Sequence, residues 1–385
     1  MIARLLRRLL LGSVLALLAL ALLLKLRYGG GADFPDRSGP PRLTPAVLEV
    51  VAELPTPPGN VSVSAGGRIL LSLHPEARPA IQVAEWRDGA LQPFPDAGWQ
   101  RCGRDRGDAC FNEVLGLRVD DQNRLWVLDT GHHGWVAPRL LGFDLDSGAL
   151  LRTISFPREQ APLGSHLNDF QITRDGRHAL IADASFFGQR PALLVVDLEQ
   201  GHSRRLLEGH PAVTAQPYTP VVQGRRMEVF GLVSIRPGVD SIALDPAGEW
   251  LYFAPISNLE LSRLRVSDLL DPTLEARTLA GRVQTVAAKT MSDGITVDSA
   301  GHVYLSDLEH SAIVLLHPDG RLETLVQDER LLRWPDGFSF GPDGWLYVTA
   351  SSLHQVIGRL PGQVREQGPY HLLRLRAPAA GRPGH

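Results

Sequence analysis

The feature that most constrains the fold is a repeat. A short apolar strand, a polar turn and a second apolar strand recur along the chain, and a recurring unit must bury its hydrophobic face against its neighbours. Clear copies run from Leu115 to Asp129, Asn168 to Asp183, Asp240 to Ala254, Asp293 to Asp307 and Asp336 to Ala350, with a weaker first copy from Asn60 to Ser72. Asp293-Gly-Ile-Thr-Val-Asp-Ser-Ala-Gly-His-Val-Tyr-Leu-Ser-Asp307 displays the pattern: alternating apolar residues, a Gly-containing turn that accommodates positive φ, and a return through β-branched and aromatic residues. Each copy predicts a hairpin. Two further strands fit where spacing permits, as at 140–144 with 150–156 and 193–197 with 203–207. Four strands per unit and six units predict an all-β, six-bladed β-propeller. The helical periodicity of an α/β fold is missing between strands, and a parallel β-helix would repeat at a shorter period. Segments 48–54 and 371–376 are expected to share the closing blade, which removes free sheet edges. The Pro-containing stretch 209–238, between the third and fourth units, reads as an inserted surface loop.

Composition agrees with one large domain. The 385 residues exceed a usual domain, yet a closed ring of blades reaches this length, and 38 Gly with 29 Pro favour many short elements. A net charge of −3, with no basic run interleaved with aromatics beyond the N-terminus, offers no electrostatic case for nucleic acid. The chain has no Gly-x-Ser-x-Gly elbow, which disfavours serine hydrolysis, and no phosphate loop or dinucleotide fingerprint, so no nucleotide or redox cofactor is indicated.

Arg4, Arg7 and Arg8 precede an apolar run from Leu9 to Leu24, after which Lys25 and Arg27 restore charge. As a helix the run rises about 24 Å, short of the roughly 30 Å hydrocarbon core, although Arg8 and Lys25 can snorkel outward. Residues 1–28 read as a signal anchor or a signal peptide. The anchor is preferred because Leu22 to Tyr28 separates the apolar core from the small residues a peptidase needs. The arginines would hold the N-terminus inside, placing the remainder on the periplasmic side of an inner membrane, or outside the cell if the segment is cleaved. Residues 29–45 then form a flexible Gly/Pro-rich linker, 46–377 the propeller and 378–385 a disordered tail. Cys102 and Cys110 would pair in an exported chain, and otherwise remain free thiols.

Topology locates the chemistry. The innermost strand of every blade starts at one mouth of the channel, so corresponding first residues form a ring: Asn60, Leu115, Asn168, Asp240, Asp293 and Asp336. Carboxylates converging in a narrow channel repel one another unless protons or a cation neutralise them, and Ca²⁺ takes oxygen ligands of this kind. Asn168, Asp240 and Asp293 are the candidate metal ligands. Loops after the second strands return to the same mouth, bringing Asp129, His132, His133, Asp183, Asn258, Asp307, His310 and His354 toward the ring. His132 and His133, with Asp240 and Asp293, are candidates for proton transfer, since imidazole titrates near neutrality. Glu113 could supply the carboxylate that Leu115 lacks, and His166 precedes Asn168 in the same way. Phe186, Phe187 and Trp135 could wall a planar ligand, or simply pack.

The stretch from Leu117 to Gly131 resembles the signature of the yellow / major royal jelly protein family. So do Asn168-Asp169, Gly238 to Leu244 with Leu251 to Pro255, Ser292-Asp293-Gly294 and Trp334-Pro-Asp-Gly337. The resemblance implies a secreted six-bladed propeller, in a family that includes dopachrome-converting enzymes and binders of small aromatic amines or sterols. The Asp293-Gly294 and Asp336-Gly337 openings are also similar to those of the gluconolactonase / senescence marker protein group, which implies a divalent metal in the channel. Three functions are thus expected: tautomerisation of a small cyclic or aromatic molecule, metal-assisted lactone hydrolysis, or non-catalytic binding of a small ligand or an unidentified protein.

Overall fold

The computed structural model describes residues 2–102 and 109–385. Six antiparallel four-stranded sheets stand radially around a central channel. Their first strands, Pro58–Val63, Val114–Val119, Leu167–Ile172, Val239–Leu244, Ile295–Val297 and Pro335–Phe340, follow one another round the ring and close it. Both faces of a blade pack on neighbouring blades, which is why Ala312–Leu316 is a continuous apolar run and fully buried. Between the second and third blades, for example, Trp126, Leu128 and Leu140 meet Phe170, Ile172 and Ile181.

The expected closure is observed. The sixth blade takes its outermost strand, Glu49–Leu54, from the start of the propeller, pairing Leu54 with Tyr370 and Ala52 with Leu372. Hydrogen bonds rather than packing alone therefore join the two ends of the ring.

Five of the six inner strands carry a register irregularity at their ring position, between Pro58 and Val61, Val114 and Leu117, Leu167 and Phe170, Val239 and Ser241, and Pro335 and Phe338. Such a bulge frees backbone groups from the ladder and re-aims a side chain, here into the channel. Hydroxyls on the second strands take up freed amides. Ser72 accepts from Asn60 N at 2.8 Å and Thr349 from Gly337 N at 2.9 Å; in the fifth blade, where Asp293 and Gly294 precede the paired strand Ile295–Val297, Ser306 accepts from both of their amides at 2.9 Å. Glycine follows the ring residue where blades crowd: a Cβ on Gly294 would lie 1.7 Å from the Asp336 carbonyl oxygen.

Three segments differ from expectation. The linker 29–45 is packed rather than free, because Phe34 is buried against Tyr218 and Arg37 donates to the Lys289 carbonyl at 2.6 Å. The 378–385 tail is ordered and lies across the far end of the channel. Ser62 donates to Gly384 O at 2.9 Å, Phe340 N to His385 O at 2.8 Å, and the buried His385 ring meets the Gln171 amide oxygen at 2.7 Å. The insertion 209–238 forms two small hairpins, 221–226 and 228–234, over the near mouth, since its Val229, Val233 and Ile235 have apolar surface to cover. Cys102 and Cys110 are disulfide-bonded, with the intervening 103–108 outside the described residues. The N-terminal helix, Ile2–Tyr28, has no buried residue in its apolar stretch from Arg4, which is long and apolar enough to cross a membrane.

Candidate functional site

The ring residues line one cavity of about 410 Å³ at the near mouth. Asn60, Leu115, Asn168, Asp240, Asp293 and Asp336 all contribute to its wall, as the topology predicts. The upper wall is apolar, built from Phe186 and Phe187 of the third blade, Ile256 of the fourth, and Val229, Val233 and Ile235 of the insertion.

The floor holds a charge arrangement that sequence reasoning missed. Arg118, from the second inner strand, is almost wholly buried; it donates to Asn60 Oδ1 at 2.7 Å and to both oxygens of Asp169 at 3.1 Å. Asn60 Nδ2 also reaches Asp169, at 3.1 Å. One guanidinium nitrogen, Nη2, meets both carboxylate oxygens in a charge-assisted contact, while Nη1 serves Asn60. The available signal was a charged residue in the middle of an inner strand, Leu117-Arg118-Val119, where buried side chains are expected.

Four carboxyls thus share a floor with one guanidinium. Desolvation raises Asp169, against the opposing pull of Arg118. Desolvation first, then Asp293 and Asp169, holds Asp240 well above the usual carboxylate range, and the same causes with Asp240 added act on Asp336. Burial pushes Asp293 up to about 6, moderated by the Trp334 indole, which donates to its Oδ2 at 2.6 Å. Trp334 is backed by His354, stacked at 6.3 Å between ring centroids.

Histidines occupy the side of the cavity nearest the first three blades. His74, His133 and His166 line it. Burial keeps all three imidazoles neutral, lowering His74 to about 4 and His166 to about 3, while Glu113 pulls the other way. His133 meets His166 edge to face at 4.5 Å and Phe187 at 4.7 Å. Among the described residues, buried His133 Nδ1 and His166 Nε2 have no hydrogen-bond partner, nor do Asn168 Oδ1 and Asp240 Oδ1. A left-handed turn from Gly131 to Gly134, with φ of 52° at His132 and 55° at His133, aims the pair in different directions. L-residues adopt this conformation at a cost, and such strain concentrates at functional sites.

Several expected residues stand behind the cavity wall rather than on it. His132 is half exposed and bonded to Glu113 at 2.8 Å; Thr130 holds the other Glu113 oxygen at 2.6 Å. Burial opposes ionisation of Glu113, but His166 and the Thr130 and His132 bonds outweigh it. Asp129 and Asp183, each closing a second strand, strap the loop entering their own blade. Asp129 accepts from Asn112 N, Glu113 N and Arg139, and Asp183 from His166 N, Ser165 and Arg205. Asp307 binds His310 at 3.0 Å, and Asn258 spans Pro211 and Glu260. A buried carboxylate meeting backbone amides and a guanidinium is already satisfied, so it has no lone pair to offer a ligand.

The site is therefore a closed propeller with an acidic, desolvated pocket at one mouth. The major royal jelly protein family profile matches residues 113–362, and the chain belongs to that family. Major royal jelly protein 7 of Apis mellifera is 25% identical over 180 residues, covering 44% of this chain and 38% of the relative. The chain spans about half or less of the length of the curated relatives it matches. The solved gluconolactonase of Xanthomonas campestris superposes with a TM-score of 0.55 at 16% identity, covering 91% of this chain and 99% of that structure. The calcium-binding regucalcin of Agrobacterium tumefaciens gives 0.55 at 16%, covering 87% and 96%. At these identities the likeness is one of fold.

Proposed function

We propose that this protein is an exported, membrane-tethered propeller that binds a small cyclic or aromatic molecule in the mouth cavity and isomerises it by proton transfer through Asp293. The observation that carries the reading is Asp293, a cavity-lining carboxyl bonded by Trp334 and raised to about 6. A carboxyl titrating near working pH can take a proton from one atom of a bound ring and return it to another, which needs no oxidant. Asp240 and Asp336, whose protons are held well above the usual carboxylate range by burial and then by neighbouring carboxylates, would in their protonated form donate hydrogen bonds to the oxygen on which charge develops. The neutral His133 and His166 would orient the ligand, and His132, through Glu113, would hold their loop in place. The family resemblance supplies the substrate class, a dopachrome-type ring.

The test is turnover of dopachrome by the full chain. Asp293→Asn is expected to lower kcat about 100-fold or more while leaving ligand affinity within a few-fold, and the wild-type rate should rise as pH rises through about 6. An unchanged rate in the variant sinks the assignment. Saturable binding without turnover in the wild type would favour a purely binding role.

A second reading has its own support in the unpartnered Asn168 Oδ1 and Asp240 Oδ1. Among the described residues no three His, Cys, Asp or Glu side chains group to hold a metal, so such a site would need the amide oxygen of Asn168 beside Asp240 and Asp293. Those donors suit Ca²⁺, and a bound ion would supply Lewis-acid polarisation of a lactone carbonyl. Protein purified without chelator that carries a stoichiometric divalent ion, lost in Asn168→Ala, would favour this reading.

A further inference from the structure

The N-terminal helix is fixed to one particular face of the propeller. Lys25 Nζ donates to Gly231 O at 2.8 Å, Tyr28 Oη to Phe187 O at 2.9 Å, and Gln189 Nε2 to Arg27 O at 3.1 Å. Arg236 closes the same corner, donating to the Tyr28 and Gly29 carbonyls at 3.2 and 3.3 Å. Gly231 belongs to the hairpin that caps the cavity, and Phe187 is part of the cavity wall. The helix therefore ends on the mouth face, with no free spacer between them.

Exposed apolar side chains gather on that face as well. Trp135, Val136, Leu163, Phe187, Phe230 and Leu360 all sit in mouth-side loops, and Phe230 and Trp135 are 89% and 76% exposed. The other large apolar side chains exposed on the described propeller, Val50, Leu150 and Leu151, lie on outermost strands instead. Scattered exposed apolar residues are ordinary, but a cluster around one cavity mouth marks an interaction surface.

We infer that the mouth face is seated on the lipid bilayer, with these six side chains in the headgroup and upper acyl region, so that the cavity opens toward the membrane and not toward bulk water. The inference rests on the tether reading of the helix and adds the orientation of the propeller. A helix that crosses the bilayer carries with it whatever face is bonded to its end, and aromatic side chains favour the membrane interface. The cavity is shaped for delivery from that side, apolar near the rim and acidic at the floor. A ligand entering from the lipid would be an amphiphile that leads with its polar end.

Full-length chain in phosphatidylcholine–phosphatidylglycerol vesicles tests this. Both native cysteines are tied up in the disulfide, so a single introduced cysteine can be labelled with an environment-sensitive fluorophore. One label replaces exposed Phe230 (Phe230→Cys) and a control replaces exposed Asp319 (Asp319→Cys), in a turn at the opposite end of the fifth blade. The label at 230 is expected to lose at least half its emission to acyl-chain-brominated lipid and to resist aqueous iodide, while the label at 319 shows the reverse. Equal iodide quenching at both positions, in protein that stays with the vesicles through an alkaline carbonate wash, overturns the orientation and leaves the tether standing. Release of the protein by the wash overturns the tether, and with it the seating.

Discussion

Asp169, Asp240, Asp293 and Asp336 share one desolvated floor, and burial sets their ionisation at the residue scale, opposed by Arg118 at Asp169 and by the Trp334 bond and Lys289 at Asp293. Their protons are held more tightly in the folded chain than in the unfolded one. Stability from these groups is therefore greatest on the acid side and falls as pH rises from about 4 through about 6, the value for Asp293, and further for Asp240 and Asp336. Asp240→Asn or Asp336→Asn should raise stability at pH 7.5 by on the order of 1–3 kcal/mol and flatten this dependence, as read by urea unfolding at pH 5 and pH 8. Arg118→Met should act the other way. It strands the Asp169 carboxylate, at a cost of about 3–5 kcal/mol, and Asp169→Asn in the same chain should recover part of the loss. The ring itself was legible in sequence because equivalent positions of a repeat occupy equivalent places. Arg118 and Trp334 were not, since each acts across a blade boundary, on Asp169 and Asp293 respectively.

At the scale of the element, the hairpins and the closing blade follow from alternation and turn chemistry, local properties that a linear reading captures. The bulges do not. They appear only when two strands are paired, and the hydroxyls that compensate them, Ser72 and Thr349, look like ordinary strand residues in the sequence. Nor do the straps: Asp129 and Asp183 occupy the same place in their repeats and were expected at the mouth, but their partners are backbone amides of their own blade entries. Gly294→Ala tests how tightly the inner strands approach. Its Cβ meets a backbone oxygen that cannot swing away, so a loss of about 2–4 kcal/mol is expected, measured by thermal melting, and a melt like that of the wild type would contradict the close approach.

Across the whole molecule, both ends of the channel are covered by segments outside the repeat. The insertion 209–238 caps the near mouth, while 378–385 fills the far one. Deleting 378–385 should uncover Ser62, Gln171 and Phe340 and lower Tm by roughly 5 °C, a shift that differential scanning calorimetry resolves. The number of blades, the strand that closes the ring, the ring of first-strand residues and the apolar helix ahead of them are all readable in the linear chain. These depend on periodicity and on side-chain type, which the linear chain carries. Which mouth residues face the cavity, which are consumed as straps, and that Arg118 answers Asp169 emerge from the packed chain alone. The packing of linker, insertion and tail emerges there too, because docking and desolvation depend on neighbours distant in the chain.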